Sequence, residues 1–215
     1  MLRRVGVLLV GQSPRADLLE EIGHLAPRLD LVQAGALDGL SREHIAAAPV
    51  QLPLIARLRD GSAVIVDRDF VGRRMQVLID QMGSEVDAFA VLCTEDFTAL
   101  RAPVPLLLPY SIGCGFFTSL GFDGRLGVVC PVQGQVGSSR ERWRARGYEA
   151  VFEVASPFEP DALRRAATKL AAAGCGMVVL DCAGYGREHA RALASITHLP
   201  VVSLRSLMWS VLALL

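Results

Sequence analysis

The sequence predicts an α/β fold of two pseudo-symmetric, flavodoxin-like lobes with parallel sheets, plus a β-hairpin in the first lobe. Two observations carry this prediction. Short apolar runs alternate with amphipathic stretches along the chain, and two of the runs end in matching cysteines, Cys93 and Cys182. The runs are continuously apolar, which is typical of strands buried on both faces of a parallel sheet. Their alternation with helical stretches indicates doubly wound sheets.

Eight apolar runs are the candidate strands, and they cover residues 5–10, 30–37, 88–93, 104–110, 125–130, 148–154, 176–182 and 199–204. The first run follows two arginines but is too short for the apolar core of a signal peptide, so we interpret it as a strand. A helix is predicted over residues 160–174, which begin with Pro and Asp and end with Gly. The apolar residues 206–215 are shorter than the roughly 20 needed to span a membrane, and we interpret them as a buried helix.

One segment of the first half departs from this alternation. Residues 54–67 contain two β-like runs around Asp60-Gly61, a pair that strongly favours a hairpin turn. We therefore expect an antiparallel hairpin, followed by a helix over residues 70–82.

The domain organisation is inferred from two proline-marked crossing points near residues 105 and 199. Residues 1–105 with residues 200–215 are predicted to form the first lobe, and residues 106–199 the second.

Composition limits the classes of partner. The 22 basic and 22 acidic residues cancel, which leaves no electrostatic footprint for nucleic acid or an anionic membrane. The expected partner is a small anionic or amide metabolite. Five scattered cysteines without a Cys-x-x-Cys pair favour a reducing, cytoplasmic location, and no metal site is expected from them or from the four histidines. No nucleotide-binding motif is present, so no cofactor is expected.

Cys93 and Cys182 are the candidate catalytic residues. Each closes an apolar strand at its carboxyl end, where open α/β sheets place their ligands. A helix starting after such a thiol would favour the thiolate and lower its pKa. Two thiols on opposite faces of one carbon can remove a proton on one side and return it on the other. The alternative is that both cysteines are inert core residues.

The other cysteines and one histidine have less specific interpretations. Cys130 also ends a strand and either lines the same site or serves the turn at Pro131. Cys114 and Cys175 lie between glycines and are expected to be structural. His189, one turn into its helix, is interpreted as a surface residue.

Three loops supply candidate binding residues. Ser13-Pro14 is predicted to cap a helix, and Gln12, Ser13 and Arg15 either belong to that cap alone or also bind an anion there. Gln133 and Gln135 have two comparable interpretations in the second half: they belong to a turn alone, or they also bind an anion there. Gly184 and Gly186 are predicted to form a turn whose N–H groups face a bound anion, with Tyr185 as a wall or donor.

Four stretches, residues 5–22, 35–45, 126–135 and 178–193, together resemble the AroM family, which is similar to a branch of the aspartate/glutamate/hydantoin racemase superfamily. The resemblance extends over essentially the whole chain. "DGLSRE" and "LDCAGYGREHA" are its most specific pieces. It implies two α/β lobes with one cysteine from each, Cys93 and Cys182, meeting at a cleft. It also implies an anion pocket near Ser13, Thr94 and the turn Pro131, Val132, Gln133. A homodimer is common among such folds.

The residues flanking the two cysteines depart from the racemase pattern. Racemases usually carry Cys-Asn-Thr or Cys-Asn-Ser at the first site and Gly-Cys-Thr-His at the second. This chain has Cys-Thr-Glu and Asp-Cys-Ala-Gly. The first hypothesis is a cofactor-independent racemase or isomerase acting next to a carboxylate or amide. The alternatives are a decarboxylase or lyase that uses Cys182 alone, and a non-catalytic binding or regulatory protein.

Overall fold

The computed structural model describes residues 3–215, so the first two residues of the predicted first lobe lie outside it. The chain forms two compact units. The first contains the described residues up to Leu108 together with Val211–Leu215, and the second contains Pro109–Ser210.

The first unit contains a parallel sheet and a separate hairpin. Its elements are β1 (Arg4–Leu9), a 3₁₀ turn (Ala16–Leu18), α1 (Glu20–Leu25), β2 (Asp30–Gly35), α2 (Arg42–Ala47), β3 (Pro53–Arg57), β4 (Ala63–Asp67), α3 (Arg68–Met82), β5 (Ala88–Leu92) and β6 (Leu106–Leu107). The parallel strands have the order β2-β1-β5-β6, while β3 and β4 pair only with each other, antiparallel. The predicted hairpin is thereby confirmed, with Gly61 in its turn at φ 83°.

Apolar periodicity explains how these elements pack. In α3, Val71, Met75 and Ile79 recur at a spacing of four, so they form one buried stripe. On the hairpin, Leu54 and Val66 point to the same core, whereas the paired Ile55 and Ile65 point outward. The hairpin therefore has one buried and one exposed face, as period-two alternation requires.

Asp67 joins the hairpin to α3 through its buried carboxylate. Its Oδ1 accepts the N–H groups of Asp69 and Phe70 at the start of the helix, both at 3.0 Å. Its Oδ2 accepts those of Gln51 and Leu52, at 2.9 and 3.0 Å. These backbone donors, with the N–H of Leu52 foremost, lower the pKa of Asp67 to about 2.

Asp67→Asn is expected to destabilise the protein by about 2 kcal/mol at neutral pH, because the amide offers one acceptor atom in place of two and carries no charge. The pKa of Asp67 is lower in the folded protein than its ordinary 3.8. Its stabilisation is therefore complete above that value and is lost as the pH falls towards 2. Urea unfolding of parent and variant should show a difference that shrinks on acidification. Asp69→Asn, at an exposed carboxylate of the same helix, is the control. A constant difference at all pH values would contradict this account.

The second unit repeats the pattern without a hairpin. It contains α4 (Pro109–Leu120), β7 (Leu126–Cys130), a 3₁₀ turn (Gln133–Gln135), α5 (Val136–Ala145), β8 (Ala150–Val154), α6 (Pro160–Ala172), β9 (Met177–Leu180), α7 (Arg187–Thr197), β10 (Val201–Ser203) and α8 (Leu204–Leu212), whose last two residues belong to the first unit. Its parallel strands have the order β10-β9-β7-β8. One face of this sheet packs on α4 and α5 through Phe117 and Trp143, and the other on α6 and α7 through Leu170 and Leu193.

The two parallel sheets share one topology. Numbered within each unit, the strands of both sheets have the order 2-1-3-4, which is the flavodoxin-like arrangement. The predicted α/β class, parallel sheets and pseudo-symmetry are therefore confirmed. All eight apolar runs form strands, with ends shifted by up to a few residues.

Two local predictions are corrected. Residues 200–215 were assigned to the first lobe, but β10 pairs with β9 and the stretch through Ser210 belongs to the second unit. Ser13 was predicted to cap a helix, but its hydroxyl donates to Asp38, and the following 3₁₀ turn begins after Arg15 without a side-chain cap. In the described part of the chain, no helix combines the length and apolar character needed to cross a membrane.

Candidate active site

The two cysteines occupy equivalent positions in the two sheets. Within the first unit β1 lies beside β5, and Val5 pairs with Ala88. Within the second, β7 lies beside β9, and Leu126 pairs with Met177. Cys93 and Cys182 stand equally far beyond Ala88 and Met177, so the strand register places them at the same level of each sheet. Both follow the carboxyl end of a strand at the switch point of the strand order, where this fold binds ligands.

Cys93 directly follows β5 and is partly buried against the core of the first unit. Residues 93–105, all within the described range, contain no helix. Phe97 and Leu100 anchor this loop in the core instead, and Thr94 and Glu95 are buried beside the cysteine. The predicted helix dipole next to Cys93 is therefore wrong.

Cys182 lies in the loop from Asp181 to Gly186, which connects β9 to α7. We call these six residues the thiol loop. The backbone N–H of Gly184 donates to the Cys182 sulfur at 3.3 Å, and the N–H of Tyr185 donates to the Cys182 carbonyl at 3.2 Å. A hydrogen bond donated to sulfur is stronger for a thiolate than for a thiol, so it favours the ionised form.

The N–H groups predicted to face an anion donate to side chains of the protein itself. Gly184 donates to Cys182, and Gly186 donates to Nδ1 of His189 at 3.0 Å. The ring of Tyr185 is fully buried, its hydroxyl donates to the Ala155 carbonyl, and burial raises its pKa. These contacts give the loop a fixed conformation. The Tyr185 hydroxyl, predicted as a wall or donor for a ligand, donates to the protein's own backbone instead.

His189 is partly buried and lies between two loops, contrary to its interpretation as a surface residue. Besides accepting from Gly186, its ring lies with Nε2 at 2.9 Å from the Pro157 carbonyl, in the loop after β8. The ring therefore links the thiol loop to a neighbouring loop of the same sheet edge. Gly184 has the same neighbour, since a Cβ there would lie 2.8 Å from Pro157 Cγ.

Asp181 points to the opposite side of the sheet from Cys182, as strand alternation predicts. Its side chain is fully buried next to α5, where Oδ2 accepts from Arg142 at 3.0 Å, from Trp143 at 3.2 Å and from Ser139. The thiol instead packs with the cluster between β9 and α6–α7. Asp181 therefore anchors the start of the thiol loop without being the hydrogen-bond partner of the sulfur.

The remaining cysteines are buried in the second unit. Burial, aided by the charge of Asp181, raises the pKa of Cys130 to about 12. Burial also raises the pKa values of Cys114 and Cys175. A thiol with a raised pKa is a poor nucleophile and base at neutral pH, so these three cysteines are structural.

Three of the predicted binding residues of the first unit, Gln12, Ser13 and Arg15, lie after β1, and their side chains are held by other residues of the protein. The amide of Gln12 donates to the carbonyls of Leu37 and Leu40 and accepts the N–H of Arg59. The guanidinium of Arg15 makes a two-point contact with Asp17, at 2.6 and 2.8 Å, and this contact is the main cause of a lowered pKa at Asp17.

Ser13 shows how this loop is built. Its N–H and hydroxyl both donate to Asp38, at 2.9 and 2.6 Å, and Asp38 also accepts from the N–H of Gly35. Asp38 thus ties the loops after β1 and β2 together. Sequence reasoning did not assign it, although it lies in the "DGLSRE" piece of the family resemblance.

The equivalent turn of the second unit follows β7. Pro131 and Val132 are partly buried, and Gln133 is exposed at the start of the 3₁₀ turn that leads into α5. Register places this turn next to the thiol loop, because the N–H of Asp181 donates to the Val129 carbonyl. Among the residues of the second unit, the structure therefore brings Pro131–Gln133, Cys182, Gly184 and Tyr185 to one sheet edge.

Arg205 and Ser203 are further residues at this edge that the sequence did not reveal. Both contact the thiol loop, Ser203 from the end of β10 and Arg205 from the start of α8. Their signal was a serine at the end of an apolar run and an arginine two residues later, in a stretch assigned to the other lobe. In residues 3–215 there is no group of three or more His, Cys, Asp or Glu side chains arranged to hold a metal ion.

A family model described as AroM protein matches residues 5–215. No curated protein matches the sequence. Among the solved structures that match, three examples share the fold along nearly the whole length of both chains.

A candidate Asp/Glu racemase from Yersinia pestis superimposes with a TM-score of 0.62 at 15% identity, covering 98% of this chain and 97% of that one. Unliganded arylmalonate decarboxylase gives a TM-score of 0.65 at 12% identity, covering 99% and 91%. The maleate isomerase Iso from Pseudomonas putida S16 gives 0.58 at 16% identity, covering 99% and 92%. At these identities the comparisons establish a racemase-like fold.

Proposed function

The chain belongs to the AroM protein family, and from that premise we propose that it is a cofactor-independent racemase or isomerase. Its substrate is a small molecule with an acidic C–H next to a carboxylate or amide. Cys93 and Cys182 are the acid and base groups. One thiolate takes the proton from carbon and becomes a thiol, while the second thiol gives its proton to the opposite face and becomes a thiolate. The electron pair left on carbon is held as an enolate between the two transfers.

The observation that carries this proposal is the equivalence of the two thiols. Each follows the carboxyl end of the third strand of a 2-1-3-4 sheet, at the same register level. Both are partly buried, while the three other cysteines are buried. Two chemically identical groups at pseudo-symmetric positions suit a reaction whose two proton transfers are mirror images of each other.

The environment of Cys182 supports its part in the reaction. The N–H of Gly184 stabilises negative charge on the sulfur, which favours a thiolate base. General acid–base catalysis by one such positioned group contributes about 10²–10⁴-fold in rate.

A second candidate function is decarboxylation, in which Cys182 alone protonates the carbanion left by CO₂ loss. The Gly184 donor at Cys182 favours it, because a single well-placed thiol is enough for one protonation. Release of CO₂ from malonate-type acids, retained in Cys93→Ser and lost in Cys182→Ser, would identify this reaction.

Exchange of the substrate's C–H proton with D₂O tests the proposal. The parent is incubated with 2-substituted carboxylates, α-amino acids and cyclic amides such as hydantoins, and exchange is followed by ¹H NMR. We expect exchange with at least one class and its loss in the Cys93→Ala/Cys182→Ala double variant. Exchange at the parental rate in the double variant, or no exchange with any class, would overturn the proposal.

A further inference from the structure

We propose that Arg205 is a positioning residue that sets the reactivity of Cys182 by holding the thiol loop. The inference rests on the proposed function only in that Cys182 is the reactive group. Arg205 has no place in the two proton transfers themselves.

Arg205 reaches the thiol loop from the first turn of α8. It is 4% exposed, and its Nη1 donates to the carbonyl of Ala183, the residue next to Cys182, at 2.9 Å. The other end of the guanidinium lies against Gly186, where a Cβ would come within 2.0 Å of Nη2. Gly186 is therefore the residue that allows this approach, and the guanidinium spans the loop from Ala183 to Gly186.

Ser203 extends the same contact. Its hydroxyl donates to the carbonyl of Tyr185 at 2.7 Å, and it accepts the N–H of Ser206 at 3.2 Å. The chain from Ser203 to Arg205 thus binds two carbonyls of the thiol loop. The backbone N–H of Gly184, which donates to the Cys182 sulfur, lies between those two carbonyls in the chain.

The chemistry of arginine explains why its position matters here. Burying a guanidinium costs free energy, and the Glu188 carboxylate, 3.9 Å from Nη2, belongs to an exposed side chain. An apolar side chain would pack at this position without that cost. What arginine adds is a rigid, planar set of donors directed at one carbonyl. By fixing the Ala183 carbonyl, it also fixes the peptide plane that presents the Gly184 N–H to sulfur.

Alkylation of Cys182 by iodoacetamide tests this inference without any substrate. The rate is measured for Cys182 and Cys93 separately, by peptide mass spectrometry, as a function of pH. In Arg205→Met the pH midpoint of Cys182 alkylation should move to higher pH. A rise of one unit in the pKa of Cys182 lowers its alkylation rate at neutral pH about tenfold. Cys93, in the other unit, should not change. Arg205→Lys should give an intermediate shift, because the charge remains but the planar donor set is lost.

Two further variants complete the design. Arg191→Met, at an exposed position of α7, is the matched control and should leave both rates unchanged. Ser203→Ala removes one hydroxyl and should shift the pH midpoint of Cys182 alkylation in the same direction as Arg205→Met. If Arg205→Met does not fold, this variant decides the question. Equally faster alkylation of both cysteines would indicate that the whole fold is loosened, and it would overturn the proposal. An unchanged pH midpoint of Cys182 alkylation would overturn it as well. Failure of the exchange experiment would leave this result standing, because the two use different readouts.

Discussion

Cys182→Ser is expected to slow substrate C–H exchange by about 10²–10⁴-fold, the usual contribution of one positioned acid–base group. Serine preserves the size of the side chain and can still accept from Gly184, but its hydroxyl is a far weaker acid than a thiol and carries almost no negative charge at neutral pH. Cys93→Ser should lower the rate of racemisation to a similar extent. The measurement is the initial rate of deuterium uptake, followed by ¹H NMR.

Cys175→Ala is the matched control for these variants. Cys175 lies in the same unit as Cys182 but is buried, with its pKa raised by burial, so its replacement should leave the rate close to that of the parent. A parental rate in both serine variants would contradict a role for either thiol. Loss of activity in Cys182→Ser alone would favour the decarboxylase function.

Asp181→Ala is expected to destabilise the protein by about 3–5 kcal/mol, since removing one partner of a buried ion pair leaves an uncompensated charge. The charge is that of Arg142, whose side chain is 12% exposed while that of Asp181 is 0% exposed. The donors of Ser139 and Trp143 would lose the same acceptor. Urea unfolding at neutral pH measures the effect.

An exposed pair of similar geometry provides the comparison. Arg125 and Glu149 lie 2.9 Å apart, with Glu149 76% exposed. Glu149→Gln should cost no more than about 1 kcal/mol, because water screens an exposed ion pair. If the two substitutions destabilised equally, the burial of Asp181 would not be what makes it important.

The parallel sheets and the hairpin could be predicted because their signals are local. Continuous apolar runs report strands buried on both faces, and Asp60-Gly61 reports a turn within its own few residues. The match between Cys93 and Cys182 was visible for the same reason, since each cysteine ends an apolar run of the sequence.

The contacts that shape the candidate site could not be predicted, because they join residues far apart in the chain. Ser13 has the sequence of a helix cap, but Asp38 competes for its hydroxyl and accepts it. Pro200 was interpreted as a crossing between lobes, although β10 pairs with β9 immediately after it. Arg205 and Ala183 meet only because that pairing brings α8 to the thiol loop.

The fate of deuterium in a single enantiomer tests the two-thiol mechanism most directly. Racemisation is started in D₂O from one pure enantiomer, and both enantiomers are recovered at low conversion and examined for deuterium. Two thiols acting on opposite faces predict deuterium in the inverted product and almost none in the remaining starting enantiomer. The abstracted proton stays on one sulfur while the other delivers a solvent deuteron. Equal deuterium in both enantiomers would contradict the account, because it would mean that a single group removes the proton, exchanges it with solvent and delivers a deuteron to either face.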